Sequence, residues 1–124
     1  MMARPEHRFS KDLQKALEGL GALVLPIETG PTNRGVPDLY IARRGFSLWC
    51  ELKVVTPHQT KDPRSAIQVK RQNQIMSHGV RVLNAHDVRD ANDFNQGYHL
   101  IPEGVIKLQT LNELALAIIA HLEH

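Results

Sequence analysis

Asp38, Glu51 and Lys53 interrupt two otherwise apolar runs in the stretch "GVPDLYIARRGFSLWCELKV", residues 35–54. Residues 38–43 and 46–54 read as strands, and Arg44-Gly45 between them reads as a turn in which glycine supplies a positive φ. A hairpin closed there sets Asp38 opposite Glu51 and Tyr40 opposite Trp49; a four-residue loop from Arg43 to Phe46 gives the same pairing. Directly opposed residues have Cβ atoms about 4.5–5.5 Å apart. Side chains alternate along a strand, so Lys53 joins Glu51 on its face and Leu52 takes the other.

Two carboxylates that close, shielded from water, repel each other until one takes up a proton or a cation sits between them. All-oxygen ligands favour Mg²⁺, Mn²⁺ or Ca²⁺ over zinc. A lysine beside such a cation can orient a water, assist its deprotonation or stabilise charge on a phosphate, which is the chemistry of metal-assisted phosphodiester hydrolysis. A lone Glu-x-Lys is otherwise an ordinary edge-strand ion pair. The aspartate at the matching register is what separates the two readings.

The elements that must position these groups follow from periodicity. Phe9, Leu13, Ala16, Leu17 and Leu20 recur at helical spacing over residues 5–20, and Gly19 and Gly21 end that helix. "ALVLPI", residues 22–27, predicts a first strand, followed by the turn cluster "TGPTNRG". Residues 56–64 hold two prolines and no periodicity, which predicts a loop. Ser65 is placed to cap a helix over 66–78 with Ile67, Ile75 and Met76 on one face and Gly79 at its end. "VRVLNA" predicts a fourth strand, Asp87 a cap for a short turn or helix, and "YHLIP" a fifth strand. In "TLNELALAIIAHLEH" an amphipathic helix gathers Leu111, Leu114, Ala115, Ile118, Ile119 and Leu122. The order αβββαβ, then β and α, predicts an α/β domain with a mixed sheet of four to five strands flanked by helices.

"GVPDL" followed by "ELK" resembles the PD-(D/E)XK nuclease superfamily, and within it the virus-type replication-repair (VRR-NUC) nucleases and Holliday-junction resolvases. The resemblance covers about residues 6–88 and takes in "SAIQVKRQNQIMSHGVRVL", where Gln68 and Gly79 match the next block. It implies a restriction-endonuclease-like core over 6–88, with a C-terminal extension over 89–124 ending in a helix. By that resemblance Asp38 and Glu51 bind Mg²⁺ or Mn²⁺ together with the backbone carbonyl of Leu52. Lys53 is then the catalytic lysine, and Gln68 supports the water or the scissile phosphate. Many members also carry a glutamate on the first helix; Glu6 is the candidate, since its spacing to Leu13 and Leu17 puts it on their side while Glu18 faces solvent. The implied activity is an endodeoxyribonuclease leaving 5′-phosphate and 3′-hydroxyl ends on branched or structured DNA. The superfamily includes dimers, so a homodimer is among the implied assemblies, in a bacterial or phage-infected cell.

Charge agrees with a polyanionic partner. Residues 43–71 carry seven basic and two acidic side chains, a net of +5, whereas the rest of the chain nets −3. Arg34, Arg43, Arg44, Lys61, Arg64, Lys70 and Arg71 are the candidate DNA contacts. A length of 124 residues gives one domain. The apolar runs are too short for a membrane span, "MMARPEHRFS" lacks the core of a signal peptide, and the expected location is cytoplasmic. Cys50, the one cysteine, excludes a disulfide and a cysteine-based zinc site and reads as a buried hydrophobe. The seven histidines lack metal-ligand spacing; His58 alone is placed to border the site, while His121 and His124 read as solvent-exposed. Ser10 reads as a cap or turn residue. "GPTNRGVP" lacks the lysine-serine ending of a phosphate-binding loop.

The sequence is also compatible with two rival readings. A catalytically inactive nuclease-fold module for DNA binding or assembly would bind DNA in a salt-sensitive way without cutting it. A small interaction protein using the C-terminal helix would bind its partner regardless of Asp38 and Lys53.

Overall fold

The computed structural model describes residues 5–28, 34–101 and 107–124. Its elements run α1 (Pro5–Gly19), β1 (Leu23–Pro26), β2 (Leu39–Arg43), β3 (Phe46–Val55), α2 (Ala66–Ser77), β4 (Val82–Arg89), β5 (Asn95–Ile101) and α3 (Leu111–Leu122). The five strands form one sheet in the order β1-β2-β3-β4-β5. All neighbours are antiparallel except β3 and β4, which run parallel because α2 carries the chain back across the sheet. This is the mixed α/β sheet that the element order predicts.

One face of the sheet holds the hydrophobic core. Phe9, Leu13 and Leu17 of α1 and Leu114, Ile118 and Leu122 of α3 close over Leu39, Ile41, Leu48, Cys50, Leu83 and Leu100. The residues after 89 are thus part of the same sheet and core: β5 completes the sheet, and α3 packs against α1. Thr110 caps α3 by accepting from Glu113 N–H, and the Glu113 carboxylate accepts from Thr110 N–H in return.

The other face is polar, and α2 covers it differently from its predicted orientation. Of Ile67, Ile75 and Met76, placed together on one face by the sequence, Ile67 and Met76 are 40% and 43% exposed and Ile75 is half-buried, while Gln72 is the fully buried residue of the helix. The reason lies on the sheet: α2 meets Glu51 and Asn84, and amides satisfy those groups where isoleucine and methionine would strand them.

Asp87 caps nothing. It lies within β4, fully buried, and its carboxylate accepts from Arg89 Nε at 2.9 Å and Asn95 Nδ2 at 2.5 Å, tying the β4–β5 turn. Ser10 lies inside α1 and is neither a cap nor a turn residue. The turn cluster at 29–35 falls outside the described residues apart from Arg34 and Gly35, as does Pro102 of the predicted fifth strand.

Candidate active site

The hairpin fixes the site first. Arg44 and Gly45 both take positive φ, 51° and 85°, the turn geometry whose twist matches the two strands. From that turn the register runs Arg43↔Phe46, Tyr40↔Trp49 and Leu39↔Cys50, so the next step places Asp38 beside Glu51. Tyr40 and Trp49 pack edge-on with ring centres 5.2 Å apart.

β2 begins at Leu39, which leaves the backbone of Leu52 without a ladder partner on that side. The Asp38 carboxylate fills the gap, its Oδ2 accepting from Leu52 N–H at 2.8 Å. The N–H and C=O of one strand residue point the same way, so the Leu52 carbonyl is directed to the same side as Asp38.

Glu51 is 1% exposed. Burial, then a hydrogen bond with Asp38 and the charge of that neighbour, push its carboxyl up to about 9, against the opposing pull of Lys53 and of Leu52 N–H. At neutral pH the Glu51 carboxyl therefore keeps its proton. Gln68 Nε2 donates to Glu51 Oε1 at 3.2 Å. The orientation of that amide is set by the helix cap, in which Gln68 Oε1 accepts from Ser65 N–H while Ser65 Oγ accepts from Gln68 N–H. A single glutamine thus caps α2 and binds the central carboxyl.

Gly35 sets how closely α2 approaches. Its φ is +82°, and a Cβ there would lie 2.7 Å from the carbonyl oxygen of Ile67. The glycine of "GVPD" therefore lets the strand entry pass directly beneath the first turn of the helix that carries Gln68.

Glu6 is exposed on the first turn of α1 and lines a cavity of about 460 Å³ together with Asp38 and Leu52. Lys53 is half-buried and stands in register with His86 of β4. Glu51 and Lys53 head two parallel rows across the sheet: Glu51, Asn84 and Ile101 in one, Lys53, His86 and His99 in the other.

The candidate DNA contacts do not all converge. Arg43 binds the Leu20 carbonyl and pairs with Glu123, and Arg44 sits in the hairpin turn, at the far end of the strands from Asp38. Arg64 is committed to Asp62 and to Gln72 Oε1, an arrangement that holds the Asp62 carboxyl down at about 2. Arg71 donates to Gln74. Lys61 lines the cavity beside His86 and His99, and Arg34 and Lys70 are exposed.

Cys50 is buried in the core with its thiol pushed up by burial and by the two carboxyls, as its reading as a hydrophobe requires. His58 is exposed in the loop after β3; the histidines beside the site are His86 and His99 instead. Their signal was present in "VLNAHDV", where Asn84 and His86 alternate with Leu83 and Ala85 and so must share a face.

Among the described residues no group of three His, Cys, Asp or Glu side chains is placed to hold a metal ion by itself. The donor set is narrower: two carboxyls and one backbone carbonyl directed the same way.

No family model and no curated protein matches the chain. Solved structures do. A VRR_NUC domain superposes with a TM-score of 0.57 at 20% identity, covering 96% of this chain and 98% of that one. Hjc from Archaeoglobus fulgidus, a Holliday junction resolvase from an archaeal hyperthermophile, superposes with a TM-score of 0.57 at 18% identity, covering 88% of this chain and 98% of that one. Over nearly its whole length, this chain has the fold shared by the VRR_NUC domain and Hjc.

Proposed function

We propose that the protein is a divalent-metal-dependent endodeoxyribonuclease acting on branched or structured DNA. The observation that carries the reading is the hairpin register that sets Asp38 beside Glu51, a carboxyl buried where its charged form is disfavoured. A carboxyl pair that costs stability in this way is retained for what it binds. Asp38, Glu51 and the Leu52 carbonyl suit Mg²⁺ or Mn²⁺, hard cations that take oxygen ligands. Bound there, the metal supplies a Lewis acid for the phosphate and lowers the pKa of water.

The chain's own groups do the rest. Lys53, on the face of Glu51, donates to the phosphate oxygens or holds the attacking water. Gln68 holds Glu51 in one orientation through the helix cap. Glu6, which lines the same cavity as Asp38, is a further acid beside the site. Water adds to phosphorus, the bond to the 3′ oxygen breaks, and that oxygen leaves with a proton as the 3′-hydroxyl. The fold shared with a Holliday junction resolvase supports branched DNA as substrate. Arg34, Lys61 and Lys70 are the exposed cations placed for phosphate contacts, and a homodimer would present two such sites to a junction.

The test is incubation with supercoiled plasmid, single-stranded DNA and a four-way junction, with Mg²⁺, with Mn²⁺ and with EDTA. Cleavage that needs the metal and disappears in Asp38→Ala is expected. Failure to cut any of the three, or equal cutting by Asp38→Ala, would sink the proposal in favour of a non-catalytic DNA-binding module.

A further inference from the structure

Beyond the carboxyl pair, the second row of the polar face borders a cavity of about 460 Å³ lined in part by His86 and His99. Three features describe what it would accept. Its walls include Val55, Val88 and Leu108, so an occupant needs apolar surface. His99 lines it, and His99 Nε2 has no hydrogen-bond partner among the described residues, so an occupant with a polar edge suits it better than a wholly apolar one. Lys61 stands at the lining, so a phosphate can accompany it.

A nucleobase combines apolar faces with a hydrogen-bonding edge, and the volume falls in the range of small-ligand pockets. We propose that this cavity receives one unstacked nucleobase from the strand whose phosphate lies at Lys53. The proposal rests on the nuclease reading and assigns that site a new subsite. The register places it: His86 is the direct neighbour of Lys53, and His99 the direct neighbour of His86. A phosphate alone is a poorer occupant, because burial and the neighbouring His99 lower the pKa of His86 and favour its neutral ring. Unstacking a base costs a few kcal/mol in a perfect duplex and least where the base is already unpaired, which favours branch points.

The experiment places 2-aminopurine at successive positions of a branched duplex bound to the native protein in EDTA, where binding is read without cutting. A fluorescence rise at one position, lost in His99→Leu, is expected. His99→Leu should melt at or above the native temperature, because it removes an unpartnered buried nitrogen; loss of signal then reports the cavity and not unfolding. Saturated DNA binding with no rise at any position, or a rise that survives in His99→Leu, overturns the subsite and leaves the nuclease reading intact. Absence of DNA binding overturns both. A rise without metal-dependent cutting in the plasmid and junction assay removes the catalytic reading alone. A second measurement needs no variant: the imidazole nitrogen resonances of His86 and His99 should shift saturably with deoxyadenosine monophosphate and not with deoxyribose phosphate. Equal shifts with the sugar phosphate overturn the assignment to a base.

Discussion

Gln68 donates from Nε2 to Glu51 while its Oε1 accepts from the N–H that opens its own helix, so the helix cap and the central carboxyl hold the same amide from both ends. Neither bond can be lost without loosening the other.

Gln68→Ala should therefore lower two quantities together. Cleavage should fall by about 10–100-fold, the usual effect of removing a group that orients a metal-binding carboxylate. Stability should fall by about 1 kcal/mol through the damaged cap. Denaturant titration and initial rates check this; an unchanged rate would show that Glu51 needs no orienting partner.

Glu51 should make the metal-free protein less stable as pH rises. Its folded value, about 9, lies above its unfolded one near 4.5, so its contribution is fully present below about 4.5 and is lost as pH climbs through about 9. Glu51→Gln removes this dependence and should be the more stable form at pH 9, by on the order of a few kcal/mol. Unfolding midpoints in EDTA at several pH values decide it: parallel curves for the two proteins would mean that Glu51 stays ionised.

Asp38→Asn keeps an oxygen that accepts from Leu52 N–H and removes the charge beside Glu51. The variant should fold, bind DNA and fail to cut, and the Glu51 carboxyl should titrate at lower pH than in the native protein. Carboxyl carbon NMR reads the titration directly. An unmoved Glu51 would locate the whole perturbation in burial.

Gly35→Ala should cost about 1–3 kcal/mol, since the new methyl meets the Ile67 carbonyl in a backbone conformation that alanine avoids. Activity should fall with stability, because the same methyl pushes away the turn that carries Gln68. Native stability in this variant would show that α2 sits farther from the strand entry.

The local code of the chain determined the hairpin that carries the candidate site. Turn chemistry at Arg44-Gly45 and period-two alternation put Asp38, Glu51 and Lys53 on one face, because both rules act between residues close in sequence. Helical spacing likewise picked out the buried stripes of α1 and α3, whose partners are apolar. The same spacing misjudged α2, since apolar periodicity assumes an apolar surface to pack on, and this helix packs on Glu51 and Asn84. Only the parallel register of β3 and β4, set by a crossover of many residues, brings His86 beside Lys53 and Gln72 over Asn84. Tertiary structure thus decided what surrounds the carboxyl pair, because those contacts join residues that no local rule relates.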